Sequence, residues 1–146
     1  MDYSATITVA ADPATAARAI PDDLERWWST RVERDDAGFT IRFNNSHVRF
    51  EIGPDTRPER RVWTCTDANM IIEGVPDTTE WQGTSLIWDL RPQGSGTAIT
   101  LTHHGLTPEI DCHEICVAGW RHFFEKSLCD HLNGLPGSPE RSAAIA

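Results

Sequence analysis

The 146-residue sequence predicts an α+β fold, with a curved antiparallel sheet of about seven strands wrapped around one long C-terminal helix and two short helices after the first strand. Three observations predict it. Short segments with period-two alternation of apolar and polar residues recur from Tyr3 to His103. Helix-start signals, Asp12-Pro13 and Pro21-Asp22-Asp23, interrupt them after the first strand. The stretch from Cys112 to Gly137-Ser138-Pro139 then carries a helical apolar stripe ending in a Gly/Pro stop.

The elements follow in order. Tyr3 to Val9 alternates as a half-buried strand. Asp12 and Pro13 supply an N-cap and a first-turn proline for a helix through Ile20, and Pro21 restarts helix at a new angle, with Leu24, Trp27 and Trp28 as its apolar side. Phe39 to Phe43 and Val48 to Ile52 alternate cleanly around Asn44-Asn45-Ser46, which is hairpin chemistry. Gly53-Pro54-Asp55 is a turn, Arg61 to Thr66 a strand, and Asn69 to Gly74 a further short strand. Thr84 to Leu90 and Thr97 to His103 pair through Gly94-Ser95-Gly96. Wound at about 100° per residue, the long helix places Cys116, Trp120, Phe123, Phe124, Ser127 and His131 on one side, and Gly119 where helix and sheet cross closely. Residues 1–139 form one domain, and 140–146 have nothing to pack against and fray as a disordered tail.

Charge and cysteines exclude several classes of function. With 22 acidic and 13 basic residues the net charge is −9, which opposes nonspecific binding to nucleic acid or anionic membrane. The tightest basic cluster, Arg57 to Arg61, is interrupted by Pro58 and Glu59. No apolar run reaches the ~20 residues of a membrane span, and no secretory signal precedes the first strand. Cys65, Cys112, Cys116 and Cys129 form no CxxC pair and read as reduced thiols of a cytoplasmic protein, Cys129 the most exposed.

The pattern resembles the SRPBCC (START-like) superfamily, the helix-grip fold, and within it the branch related to the activator of the heat-shock chaperone ATPase. The residues that carry the resemblance are Leu24 with Trp27-Trp28; Trp81 with Gly83-Thr84; Leu101-Thr102-His103 with Gly105-Leu106; and Cys112, Cys116, Gly119-Trp120 and Ser127-Leu128 ahead of the Gly-Pro tail. The resemblance implies a seven-stranded sheet gripping the C-terminal helix with an apolar tunnel between. It extends in order over nearly the whole chain. The extra N-terminal domain of the eukaryotic chaperone activators is missing from the pattern, so a chaperone partner is not expected.

Strand parity and the helical stripe converge on a candidate ligand site: Phe43, Phe50, Trp88, His103, Trp120 and Phe124, with Trp28 near its mouth. His103 shares the inward parity of Ile99 and Leu101, and an inward histidine needs a polar partner. Cys112 and Cys116, with His103, fall short of a metal site for want of a fourth ligand at recognisable spacing, so neither metal nor cofactor is expected. Glu73, Glu80 and Asp89 are isolated carboxylates, and no nucleophile elbow or phosphate loop occurs. The expected function is the binding of a small hydrophobic or aromatic molecule of drug-like size, with a weak homodimer the one self-association considered. The alternatives are a polyketide cyclase/aromatase-like enzyme, which needs two converging titratable groups, and a module that modulates a chaperone.

Overall fold

Strand β1 (Tyr3–Val9) buries Tyr3, Ile7 and Val9 and pairs along its whole length with the last strand. The computed structural model describes residues 1–54, 57 and 59–142. Helix α1 (Pro13–Asp22) is capped by Asp12, whose carboxylate accepts the Thr15 N–H at 2.8 Å. It runs through Pro21, so the break falls at Asp23 rather than at the proline, and α2 (Leu24–Trp27) follows. The strands β2 (Arg31–Arg34), β3 (Gly38–Phe43), β4 (Ser46–Ile52), β5 (Arg60–Asn69), β6 (Ser85–Gln93) and β7 (Gly96–His104) complete one antiparallel sheet in the order β1-β7-β6-β5-β4-β3-β2. The two-residue β3–β4 turn holds Asn44 at φ 48°, which asparagine tolerates.

The seven-stranded sheet of the sequence reading is present, with one substitution among its members. Edge strand β2 was not anticipated, because Arg31-Val32-Glu33-Arg34 carries only one apolar residue. Conversely, no strand spans Asn69 to Gly74: β5 ends at Asn69, and beyond it Ile72 and Val75 make an isolated bridge. Of the proposed turn and basic cluster, Asp55 and Pro58 lie outside the described residues.

The long helix is not uniform. It comprises α3 (His113–Trp120), a π-helical stretch (Arg121–Leu128) and α4 (Cys129–Leu132). π-Helical turns bond i to i+5 and advance each residue by less than 100°, so the stripe slips around the axis. Leu128 and Leu132 become buried, while His131 turns to Asp23 at 2.8 Å. The helix ends at Leu132, with Gly134 at φ 82° in the left-handed conformation, well before the Gly-Pro segment. Glu80 closes the other end, its two oxygens accepting the Asp111 and Cys112 N–H groups at 2.8 and 3.0 Å. Among the described residues no helix is long and apolar enough to cross a membrane.

The fraying expected from Glu140 is corrected for Glu140 to Ser142; 143–146 lie outside the described residues. The tail is a strap. Ser138 N–H donates to Ser127 Oγ at 2.7 Å, and His122 Nε2 meets the Ser138 carbonyl at 2.9 Å. Glu140 then pairs by its backbone with the end of α2: its N–H donates to Trp28 O at 2.7 Å and its carbonyl accepts Thr30 N–H at 2.9 Å. Ser142 Oγ accepts Asn44 N–H at 2.8 Å. Gly137 permits the approach, since a Cβ there would stand 2.3 Å from the Arg26 carbonyl. Buried Ser127 ties helix to both neighbours, donating to Trp27 O at 2.8 Å.

Candidate functional site: an aromatic cavity between helix and sheet

All six tryptophans are buried, and ring contacts connect them. At one end of the space between sheet and helix the rings fill it. Trp88 lies 5.1 Å from Trp63, 6.0 Å from Trp27 and 5.8 Å from Phe124, and Phe39 meets Trp63 edge-on at 4.9 Å. Phe50 stands between the ends, touching Trp63 on one side and Trp28 and Trp81 on the other. At the other end Trp28, Trp120 and Trp81 form a row with centroid spacings of 5.1 and 5.9 Å, and space remains beside them.

That space is a cavity of about 170 Å³. Five aromatic rings line it, from Trp28, Phe43, Trp81, Trp120 and Phe123. Met70 and Ile72 contribute from the segment after β5, and Ile115, Cys116 and Gly119 from the helix. Ile115 is largely exposed, so the cavity reaches the surface beside it. Glu140, delivered by the strap, is the one charged residue in the lining. A volume near 170 Å³ suits a one-ring molecule rather than a drug-sized one, because an apolar cavity of about 150 Å³ accepts benzene.

Gly119 is corrected by this geometry. A Cβ at Gly119 would meet no atom within 4 Å, so the glycine opens the cavity wall instead of allowing a close crossing.

His103 is corrected as well. It is fully buried, off the cavity, with both ring nitrogens engaged. Trp120 Nε1–H can only donate, so Nδ1 of His103 accepts it at 3.0 Å and the ring proton sits on Nε2. Nε2–H donates to Thr84 Oγ1 at 2.9 Å, and Thr84 Oγ1–H donates to Trp81 O at 2.7 Å. Burial pushes the His103 pKa down to about 3, so the ring is neutral. The chain Trp120–His103–Thr84–Trp81 therefore fixes two cavity indoles from behind.

Of the residues that parity selected, Trp28, Phe43 and Trp120 line the cavity. Phe50, Trp88, Phe124 and His103 belong to the packed core. Parity does not reach Trp81 or Glu140: Trp81 sits in the turn before β6, where period-two parity has no meaning, and Glu140 arrives on a segment without periodicity.

The cysteines are free, with Cys129 the least buried. Trp81 Nε1–H donates to Cys116 Sγ at 3.3 Å, and the Cys116 thiol contacts Cys112 Sγ at 2.8 Å. Donating to Cys112 and burial both push the Cys116 thiol up, so it is held protonated at the cavity wall. Among the described residues no cluster of three or more His, Cys, Asp or Glu side chains could hold a metal.

No family model matches the sequence, and no curated protein matches it. Solved structures do match. The solution structure of the Aha1 dimer from Colwellia psychrerythraea superposes with a TM-score of 0.71 at 22% identity, over 91% of this chain and 96% of that one. Protein CV1439 from Chromobacterium violaceum gives 0.70 at 17% identity, over 90% and 96%. DynU16, from the dynemicin biosynthetic locus, gives 0.66 at 16% identity; it covers 96% of this chain, which spans 50% of that one. The chain therefore shares the helix-grip fold of these structures, a curved antiparallel sheet against a C-terminal helix. At these identities the likeness establishes fold alone.

Proposed function

We propose that this protein binds a small apolar molecule, of about one aromatic ring, in the cavity between Trp28, Trp81 and Trp120. The observation that carries the reading is a surface-connected cavity of about 170 Å³ walled by five aromatic rings in an otherwise packed core. Burying a ring there removes apolar surface from water without first expelling side chains. The three indoles are held in place beforehand by Cys116, His103 and stacking, so little ordering is needed on binding. The cyclase alternative draws less support, because His103 lies behind the wall and Glu140 is the lone carboxylate in the lining. Four free cysteines fit a reducing, cytoplasmic setting.

The test is a titration with benzene, toluene and naphthalene, followed by intrinsic fluorescence and by melting temperature. Benzene and toluene should quench or shift the emission and raise the melting temperature, while the fused-ring naphthalene binds less well. If none of the three moves either signal up to its solubility, the ligand-binding reading fails.

A further inference from the structure

We propose that the preferred ligand carries a positive charge: an aryl or compact alkyl ammonium whose cation rests between the indole faces and the carboxylate of Glu140. This inference rests on the ligand-binding reading above and adds the charge of the ligand to it.

The cavity is lopsided in its electrostatics. Five of its lining residues are aromatic, and the faces of aromatic rings are electron-rich. An ammonium within about 6 Å of such a face is attracted to it, most strongly by tryptophan. The one formal charge in the lining is negative. No arginine, lysine or histidine of the lining offsets it, and among the described residues the Glu140 carboxylate makes no ion pair. Its hydrogen bonds come from Ser142, whose N–H donates to Oε1 at 2.9 Å. Burial pushes the carboxyl up, but the Ser142 hydrogen bonds, the Arg141 backbone and the charge of His122 outweigh it and leave Glu140 ionised. Glu140 thus brings to an otherwise uncharged, largely aromatic lining a half-buried carboxylate that has no ion pair among the described residues.

Each alternative ligand charge fares worse. A neutral ring gains dispersion and burial but draws nothing from the Glu140 carboxylate. A carboxylate ligand, fatty acids included, would place two negative groups together in a poorly hydrated site. The net charge of −9 also favours the approach of cations over anions. The placement of Glu140 is built rather than incidental, because its backbone is clamped on both sides, to Trp28 O and Thr30 N–H. Trp28, so clamped, is itself one of the three cavity indoles.

A matched set of one-ring probes decides the matter. Phenyltrimethylammonium and tert-butylbenzene share a shape and differ in charge, and benzoate supplies the anion. Binding is read by tryptophan emission and by the indole N–H shifts of Trp28, Trp81 and Trp120. The cation should bind at least about five-fold tighter than tert-butylbenzene, as cation–π and ion-pair contacts of ordinary strength require, with benzoate weakest. Glu140→Gln should shrink the ratio of cation to neutral affinity at least about three-fold, because it removes the ion-pair contribution to binding. Raising salt should weaken the cation and leave tert-butylbenzene unmoved. The salt series on the unmutated protein decides the question even if the variant fails to fold. Should tert-butylbenzene bind as tightly as the cation, the charge assignment is overturned while the apolar cavity stands; a preference that survives both salt and Glu140→Gln overturns the part assigned to Glu140. If none of the three probes binds while toluene does, the charge assignment falls and the apolar cavity stands; if toluene fails as well, both readings fall.

Discussion

The two ends of the space between sheet and helix use the same residue types to opposite effect. At the closed end Trp27 and Phe124 meet Trp88 edge to face, Trp63 packs against Trp88 at a tilt, and each is almost fully buried. At the open end Trp28, Trp81 and Trp120 line up instead, Gly119 withholds a side chain, and a cavity results. Phe123 and Phe124 make the contrast within two consecutive positions: Phe124 is sealed in the core, while Phe123 is half-buried on the cavity wall. Aromatic content alone therefore does not distinguish a core from a site. What separates them is whether neighbouring rings fill the space in front of each indole, as they do around Trp88, or leave it open, as they do beside the row from Trp28 to Trp81.

Truncating the closed end tests this contrast with the largest effect. Phe124→Ala and Trp88→Ala should each cost about 3–5 kcal/mol in denaturant melts, as large-to-small core changes do. Phe123→Ala should cost only about 1 kcal/mol, since its ring is half-buried and the space beside it is already open. Equal losses at 123 and 124 would erase the distinction between the two ends.

Acid should act next, through His103. Its folded pKa is about 3, against about 6.5 in the unfolded chain. Below pH 6.5 the unfolded state therefore binds a proton that the folded state refuses, and stability falls as pH drops toward 3. The slope should reach about 1.4 kcal/mol per pH unit. Between pH 6.5 and 5 the carboxylates add little, so melts of the wild type and His103→Gln in that window isolate the histidine. A wild-type profile as flat as the variant's would show that the ring is not held neutral.

Gly119 gives a smaller effect with an unusual sign. Gly119→Ala should stabilise by about 0.5–1 kcal/mol, because alanine favours helix and its methyl meets open space. Gly119→Leu should fill the cavity and weaken toluene binding at least about ten-fold, by removing the volume the ring needs. A destabilising Gly119→Ala would mean that helix and sheet cross closely there after all.

The smallest effect sharpens the same contrast at the thiols. Titration of the denatured, unreduced protein should find four free groups, and in the native state Cys129 should react fastest. Native Cys116 should slow further once a ring occupies the cavity, since it lies in the wall. Protection of Cys129 instead would place the ligand elsewhere.

The strands with alternating sequence, β1, β3, β4, β6 and β7, were legible one by one, because parity is a local property of an extended chain. The same parity brought Phe43 to the cavity but also selected Phe50, Trp88 and His103, which are buried away from it. Parity reports which face of the sheet a side chain occupies, and says nothing about whether the opposite surface has filled the space in front of it. Edge strand β2 was invisible for a related reason: with little apolar patterning of its own, it is held by pairing with β3.

By itself the sequence determined the class of fold, the apolar faces of the alternating strands and of the helix, and the acidic balance of the chain, all set by local pattern and composition. Only the tertiary structure decided where the packing stops short. The π-helical turns rotate the stripe off its α-helical path, and the fold gathers Trp81 from a turn and Glu140 from the tail at the same wall. A cavity is the volume left over after distant segments have packed. Its walls come from residues as far apart as Trp28 and Glu140, joined by a backbone pairing that no local periodicity encodes.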